Sequence, residues 1–345
     1  INNNVNNIII NNNLNNEIKI DINEGYHIII KNNLLSSMKG LLQCFVKMEQ
    51  FSSTLNLVKS ANKDKLNFIP CFSHILDIIN DKNNNPNINI DDYNKDITIF
   101  INKVYSYYNG PNKGLKPLDL YLMIFEILEK ESNMCLNDNK SLSFENYKDI
   151  DFKIEEGKKL KILNDIAEFE KKQTSPIMDY FYFLFIEYIK CLNCGVNLDA
   201  KVETNKFISL KSQNNGDLIS NLIDNYFVHN SIILNNTIKC NYCGMVLKNY
   251  NPIRYLLKFP KYLVFEIEGN NKVKLENKID ISNYRINNTG AKEYKLFAVI
   301  VKNNFDNYSS MIRENNNFIL FIDDLSQNYD REKLNNNMND YTSLV

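Results

Sequence analysis

Two short cysteine pairs constrain this chain more than any other feature. Cys191 and Cys194 lie in CLNCG, Cys240 and Cys243 in CNYCG, and Gly directly follows the second cysteine of each pair. Two thiolates three residues apart on a tight turn can reach one metal at about 2.3 Å, and two such turns complete a tetrahedron. The Gly lets the backbone curl so that its amides point at the sulfurs. The 45 residues between the pairs exceed the spacing of a compact zinc ribbon. Closing the longer loop costs less than ~1 kcal/mol more than a loop of ~18 residues. Structural zinc contributes roughly 10–16 kcal/mol, so the metal outweighs the loop. Redox chemistry needs a single pair, and disulfides need an export signal. The expectation is one structural Zn²⁺ on Cys191, Cys194, Cys240 and Cys243, closed to water and without a catalytic role; the alternative is a pair of knuckles that has lost its metal. Cys44, Cys71 and Cys135 are isolated in apolar contexts and read as small buried hydrophobes.

The 345 residues are 44% hydrophobic, which supplies a core for one large domain or two ordinary ones. A net charge of −1 removes the basic excess that direct nucleic-acid or anionic-membrane binding requires. No apolar run approaches the ~18 residues of a spanning helix. The N-terminal INNNVNNIIINNNLNN has neither the basic flank nor the apolar core of a secretory signal, and it does not begin with Met. Reduced thiols and the lack of a targeting signal place the chain in the cytoplasm or nucleus as an expectation. Roughly 60 residues are Asn, and Lys outnumbers Arg 36 to 4. That skew follows AT-rich codons, so Asn-rich and Lys-rich stretches carry no functional weight.

Residues 1–24 read as an Asn-rich leader without regular structure, 80–94 as an inserted surface loop, and 331–345 as a polar tail. The segment 137–172 is charged, with helical spacing in its second half. Met38, Leu41, Leu42, Phe45 and Val46 follow a helical period, with Ser36 and Ser37 placed to cap it. Residues 118–130 (LDLYLMIFEILEK) are apolar nearly all round, which predicts a buried helix, and 218–227 predicts another. Alternating or apolar runs at 180–188, 262–268, 294–301, 308–313 and 318–322 predict strands. Helices first and antiparallel strands later define an α+β class. No fixed-period repeat is present.

With the knuckles in place, further blocks fall into order. The run CNYCGMVLKNYNPIRYLLKFPKYLVFEIEG resembles the segment of ubiquitin-specific proteases in which the zinc fingers return to the palm, where the family reads CxxC, a basic strand, then LPKxLxxxLKRF. LLSSMKGLLQCF at 34–45 is similar to the NTCYMNSLLQCL box, and GLKPLDLYLMIFEIL at 114–128 to QQDAHEFLxxLLD. Residues 181–191 resemble the strand that enters the first knuckle. EYKLFAVIVKNNFDNYSSMIR resembles YxLxAVVxHxGxxxxGHYTSYVR, and FILFIDDLSQNY the closing WxxFDDxxV. The resemblance covers about residues 26–330. It implies a papain-like hand with a helical thumb at 25–175, zinc-tipped fingers at 176–260 and palm strands at 261–330. It also implies ubiquitin, or a ubiquitin-like protein, as partner. In active members a Cys at the N-terminus of the thumb helix is the nucleophile, which the helix amides help to ionise, a His is its base, and an Asp or Asn orients the His.

The departures from the family pattern fall on that chemistry. Ser36 aligns with the nucleophile, Asn307 with the base, and Leu34 with the Asn that donates to the oxyanion. Only the third member keeps its kind, at Asp323, with Asp324 beside it. A hydroxyl needs a base to take its proton, and an amide cannot serve. Losing nucleophile or base costs on the order of 10⁶ in turnover. His27, His74 and His229 all lie outside the box that reaches the cleft. Asp119 aligns with the Asp that meets the ubiquitin tail, and equally suits a cap of the buried helix. The reading is a pseudo-deubiquitinase that binds ubiquitin, or a protein complex using the same surface, as a scaffold. The family includes such pseudo-proteases in splicing and poly(A)-nuclease assemblies. Two other readings stay open: an active thiol-dependent deubiquitinase with its nucleophile elsewhere, Cys44 being nearest, and a zinc-ribbon nucleic-acid binder, which the neutral charge disfavours.

Overall fold

The computed structural model describes residues 17–22, 26–61, 66–85, 87–108, 116–135, 147, 152, 154, 156–172, 175–229, 232–250, 252–269, 271–286, 293–302, 307–314, 317–322, 325–329 and 343–344. In chain order, strands β1 (Glu17–Ile22) and β2 (Tyr26–Lys31) precede helices α1 (Asn32–Val46), α2 (Glu49–Ala61), α3 (Phe68–Asn84), α4 (Ile90–Tyr107) and α5 (Pro117–Cys135). Then come α6 (Glu156–Lys172), a helical turn α7 (Met178–Phe181), β3 (Phe183–Lys190), β4 (Asn197–Asn205), β5 (Ile208–Lys211), β6 (Asp217–Leu218) and α8 (Ile219–Asp224). A π-helical turn (Asn225–His229) leads to β7 (Ile232–Lys239), β8 (Val246–Tyr250), β9 (Pro252–Lys258) and β10 (Phe265–Glu268). The remaining strands are β11 (Val273–Lys274), β12 (Lys278–Asp280), β13 (Glu293–Lys295), β14 (Ala298–Lys302), β15 (Tyr308–Glu314), β16 (Asn317–Ile322), β17 (Leu325–Tyr329) and β18 (Ser343–Leu344). The class is α+β, as the sequence predicts. Among the described residues no helix is long and apolar enough to cross a membrane.

The chain forms two compact units, one of residues 1–128 with 298–343 and one of 129–297. In the first, the order β17-β16-β15-β14-β18 makes a five-stranded sheet. Helix α1 lies along β15, and a Cβ added at Gly40 would touch Ile300 Cγ2 at 3.5 Å and Ser310 Cβ at 3.8 Å. The opposite side of α1 places Phe45 against Phe51, Phe72 and Phe125, with ring centroids 5.5–5.8 Å apart. Such tilted and edge-on rings anchor the four helices α1, α2, α3 and α5 to one aromatic core. The predicted all-round apolar character of α5 is met: Leu118, Leu120, Tyr121, Met123, Ile124, Phe125, Ile127 and Leu128 are all buried.

In the second unit, β3 is the centre of a three-stranded antiparallel sheet, β4-β3-β9. Helix α6 covers it, packing Ile162, Leu163 and Ile166 with Leu184, Ile186, Tyr188 and Leu257. Within this apolar strand one carboxylate, Glu187, is 1% exposed. The strand register places it opposite Lys201 on β4 and Arg254 on β9. Arg254 grips it from Nε at 2.7 Å and Nη2 at 2.6 Å, and Lys201 approaches at 3.2 Å. The guanidinium also donates to the Tyr226 carbonyl and lies over the Tyr226 ring, 4.7 Å from its centre. The half-exposed Lys201 adds little, and the forked Arg254 pair keeps the buried charge tolerable.

Several boundaries differ from the sequence expectation. Glu17–Ile22 pairs with Tyr26–Lys31 in a hairpin, so regular structure begins within the segment read as an unstructured leader; Ile18, Ile20 and Ile22 alternate with Lys19 and Asp21 at strand period. The polar patch at 80–94 is not an inserted loop. It is the end of α3, a short turn and the start of α4, where the Asn89 side chain caps the helix by accepting from the Asp91 amide at 2.9 Å. The run at 180–188 opens with the turn α7 before β3, and the run at 294–301 splits into β13 and β14.

Replacing Glu187 by Ala leaves the mostly covered Arg254 guanidinium without its counter-charge, so the folded state should lose about 3 kcal/mol. Glu187→Gln should lose less, because the amide oxygen still accepts from Arg254. Thermal unfolding of the two variants checks the order; equal midpoints for wild type and Glu187→Ala would remove the ion pair from the account.

Candidate functional site

Each cysteine pair closes the tip of a hairpin, the first between β3 and β4 and the second between β7 and β8. The two tips share one geometry. The Cys191 amide donates to the Val196 carbonyl at 2.9 Å and the Gly195 amide to the Cys191 carbonyl at 2.9 Å. At the second tip, the Cys240 amide donates to Met245 and the Gly244 amide to Cys240, both at 2.8 Å. Gly195 and Gly244 have φ of 74° and 75°, left-handed backbone that a residue with a Cβ adopts at a cost. The space beside Gly244 is open, so conformation rather than crowding selects glycine there.

The four sulfurs of Cys191, Cys194, Cys240 and Cys243 all lie within 4.8 Å of one another. Cys191 to Cys243 and Cys194 to Cys240 are each 3.6 Å, close to the ~3.8 Å edge of a tetrahedron built on ~2.3 Å zinc–sulfur bonds. Cys191 and Cys240 are buried over Leu198 and Leu247, while Cys194 and Cys243 face outward. The thiols titrate against one another. The Asn193 side chain, then the Met245 amide, hold Cys243 down to about 6. Cys194 is pushed up to about 12: the Val196 amide favours its thiolate, but desolvation and the neighbouring thiols outweigh it. A divalent cation removes that conflict by binding all four as thiolates. The donor set, the spacing and the turn geometry fit Zn²⁺, and with four protein ligands the site is structural.

The residues that the sequence resemblance expects at a catalytic centre belong to the first unit. Ser36 is buried on α1, and its hydroxyl accepts a hydrogen bond from the Tyr308 amide at 3.0 Å. The same oxygen donates to the Asn33 carbonyl at 3.1 Å, and Ser37 donates to that carbonyl at 2.6 Å. This corrects the capping role predicted for both serines. The helix begins at Asn32, so Ser36 and Ser37 sit inside it and bond back by three and four residues, a known habit of hydroxyls in helices. Asn307, next to Tyr308, is half-buried. Residues 36 and 307–308 are thus neighbours although 272 positions separate Ser36 from Tyr308. Leu34 is buried and carries no donor. Asp323 and Asp324 lie outside the described residues. Asp119 is half-buried in the first turn of α5, not at its cap, where a carboxylate suits the helix N-terminus. Burial, and then the Asp119 charge, push the Tyr105 phenol up.

Cys44, the other thiol on α1, is buried and donates to the Gly40 carbonyl at 3.3 Å. Burial pushes it up to about 12, so it holds its proton at neutral pH. His74 is exposed on α3. Two features escape a sequence reading: the Tyr308 amide, which has no side-chain signature, and the Asn193 carboxamide beside Cys243. A lone Glu in the apolar run FLFIEYIK was the available signal for the Glu187 ion pair.

The model of the ubiquitin carboxyl-terminal hydrolase family matches residues 32–342. The chain therefore belongs to that family, and its fold is that of the ubiquitin-specific proteases. No curated protein matches it. Among solved structures it is similar to the SAGA Ubp8/Sgf11/Sus1/Sgf73 deubiquitinase module, at 13% identity and a TM-score of 0.64, covering 93% of this chain and 68% of the other. A yeast form of that module gives 12%, 0.62, 90% and 66%. The module bound to monoubiquitin gives 12%, 0.60, 90% and 66%. The chain thus spans about two thirds of the length of these structures. These likenesses establish the fold.

Removal of one ligand should empty the whole zinc site. Elemental analysis should find one Zn²⁺ per wild-type chain and close to none in Cys191→Ser or Cys243→Ser. Near-stoichiometric zinc in either variant would contradict a four-thiolate site.

Proposed function

We propose that this chain is a pseudo-deubiquitinase, a ubiquitin-specific-protease fold that binds ubiquitin or a ubiquitin-like protein without cleaving it. The observation that carries this reading is the hydrogen bonding of Ser36. At the position that matches the nucleophile stands a buried hydroxyl whose donor and acceptor roles are both taken by main chain, from Asn33 and Tyr308. A nucleophile must hand its proton to a base. The neighbouring position carries Asn307, whose amide cannot take it at neutral pH. Leu34 lacks the donor that would stabilise an oxyanion. Ser36 here fastens α1 to the start of β15, a structural task.

The competing reading, catalysis by another thiol, is disfavoured on α1 by the burial and raised pKa of Cys44. The family fold supports ubiquitin as the partner, since solved members of similar fold are named as bound to monoubiquitin and to ubiquitin aldehyde. Those structures also hold Sgf11, Sus1 and Sgf73, which makes a multiprotein assembly a reasonable setting for a non-cleaving member. Asp119 is the residue proposed to meet the basic ubiquitin tail, and Asp323 the retained acidic member. Thiolate ligands favour a reducing compartment, cytoplasm or nucleus.

Titration of ubiquitin into the zinc-loaded chain tests the reading. Measurable binding with no cleavage of di-ubiquitin is expected; no binding, or cleavage, would overturn it. Ser36→Ala should leave the affinity unchanged while loss of the hydroxyl's hydrogen bonds with Asn33 and Tyr308 costs about 1 kcal/mol of stability, read as a lower thermal midpoint. If Ser36 were a nucleophile, the variant would instead lose turnover at unchanged stability.

A further inference from the structure

A second cysteine-centred arrangement lies in the helical part of the first unit, apart from the zinc knuckles and from Ser36. Cys71 is on the first turn of α3 and Lys103 is in the last part of α4, and their Sγ and Nζ atoms are 2.7 Å apart. For comparison, the Cys44 thiol stands 3.3 Å from its carbonyl partner. The pair is held by rigid neighbours. Phe68 and Phe72, flanking Cys71, meet Phe100, one turn before Lys103, at 5.7 and 5.8 Å, and Phe68 also meets Tyr107 at 5.7 Å. Phe68, Phe72 and Phe100 are buried, so the packing of α3 on α4 fixes the sulfur–nitrogen approach. Cys71 and Lys103 themselves are only half-buried, so a small oxidant can reach them. Cys44, by contrast, is closed off, and Cys191, Cys194, Cys240 and Cys243 form the metal cluster.

We infer that Cys71 and Lys103 are the site of an oxidative crosslink in which a single oxygen atom bridges sulfur and nitrogen. The separation of the two atoms suits a bridge of one S–O and one O–N single bond. The oxidant is molecular oxygen. The thiol S–H and one amine N–H break, S–O and O–N bonds form, and the second oxygen leaves as water with the two hydrogens. Sulfur and nitrogen each give up two electrons, and oxygen accepts the four. Two equivalents of a dithiol reductant reverse the step, releasing thiol, amine and water. The bridge would strap α3 to α4 across 32 residues of sequence. The helical core would thus become stiffer in an oxidising medium and looser in a reducing one. This modification is independent of ubiquitin binding and of the zinc.

Peptide mapping of the full zinc-loaded chain, before and after exposure to air-saturated buffer, tests it. The expected product is heavier by one oxygen and lighter by two hydrogens, about 14 Da. The digest should contain one peptide joining the Cys71 and Lys103 segments, with Cys71 no longer alkylated, and dithiothreitol should restore both. Lys103→Arg and Cys71→Ser should abolish the joined peptide, and the oxidised wild type should melt at higher temperature than the reduced. Full alkylation of Cys71 after exposure, or sulfinic acid on Cys71 with Lys103 unmodified, would overturn the proposal.

Discussion

The convergence of four thiols from two hairpin tips is the constraint on which the second unit depends. Neither tip has enough apolar material to fix itself: Leu198, Leu247 and a partly buried Ile238 are what packs with Cys191 and Cys240. A structural zinc contributes roughly 10–16 kcal/mol, far more than that small cluster can. The metal therefore sets the separation of the tips, and the glycines at positive φ shape each tip to receive it. Further down the same strands, the Glu187–Arg254 pair takes over. It fixes the register of β3 against β9 at the level where the sheet meets α6.

The first unit is organised by a different contact. Helix α1 rests on β14 and β15 through small residues, Ser36 and Gly40, facing Tyr308, Ser310 and Ile300. A cysteine protease needs that interface to hold a thiol and an imidazole in mutual reach. In this chain a hydroxyl bonded to main chain stands there and joins helix to sheet, and the proposal of a non-cleaving member rests on that joint. Family membership says that the scaffold is a ubiquitin hydrolase's; the hydrogen bonds at Ser36 are the physical reason for proposing that it does not cleave.

The sequence revealed most where the signal is local. The two CxxC-Gly motifs specify turn, ligand type and number of donors within five residues each, and the apolar stretch of α5 announces its own burial. It revealed less where partners are distant. Nothing near Glu187 identifies Arg254 as its counter-charge, because strand register decides that. The capping role of Ser36 and Ser37 failed because Asn32 and Asn33 carry the helix one turn further back, and Asn is so common here that its structural uses are hidden. Asn89 shows the same problem: in an Asn-rich patch it is a helix cap, not filler. Cys71 reads as a small buried hydrophobe until the fold brings Lys103 beside it.

The account stands on the absence of a working thiol at the joint of α1 and β15. Incubation of the intact, zinc-loaded chain with ubiquitin bearing a C-terminal propargyl or vinyl-sulfone electrophile, followed by intact-mass analysis, addresses that point directly. The account predicts an unmodified chain mass after prolonged exposure, with ubiquitin captured only reversibly. A covalent ubiquitin adduct mapped to any cysteine of the chain would contradict it.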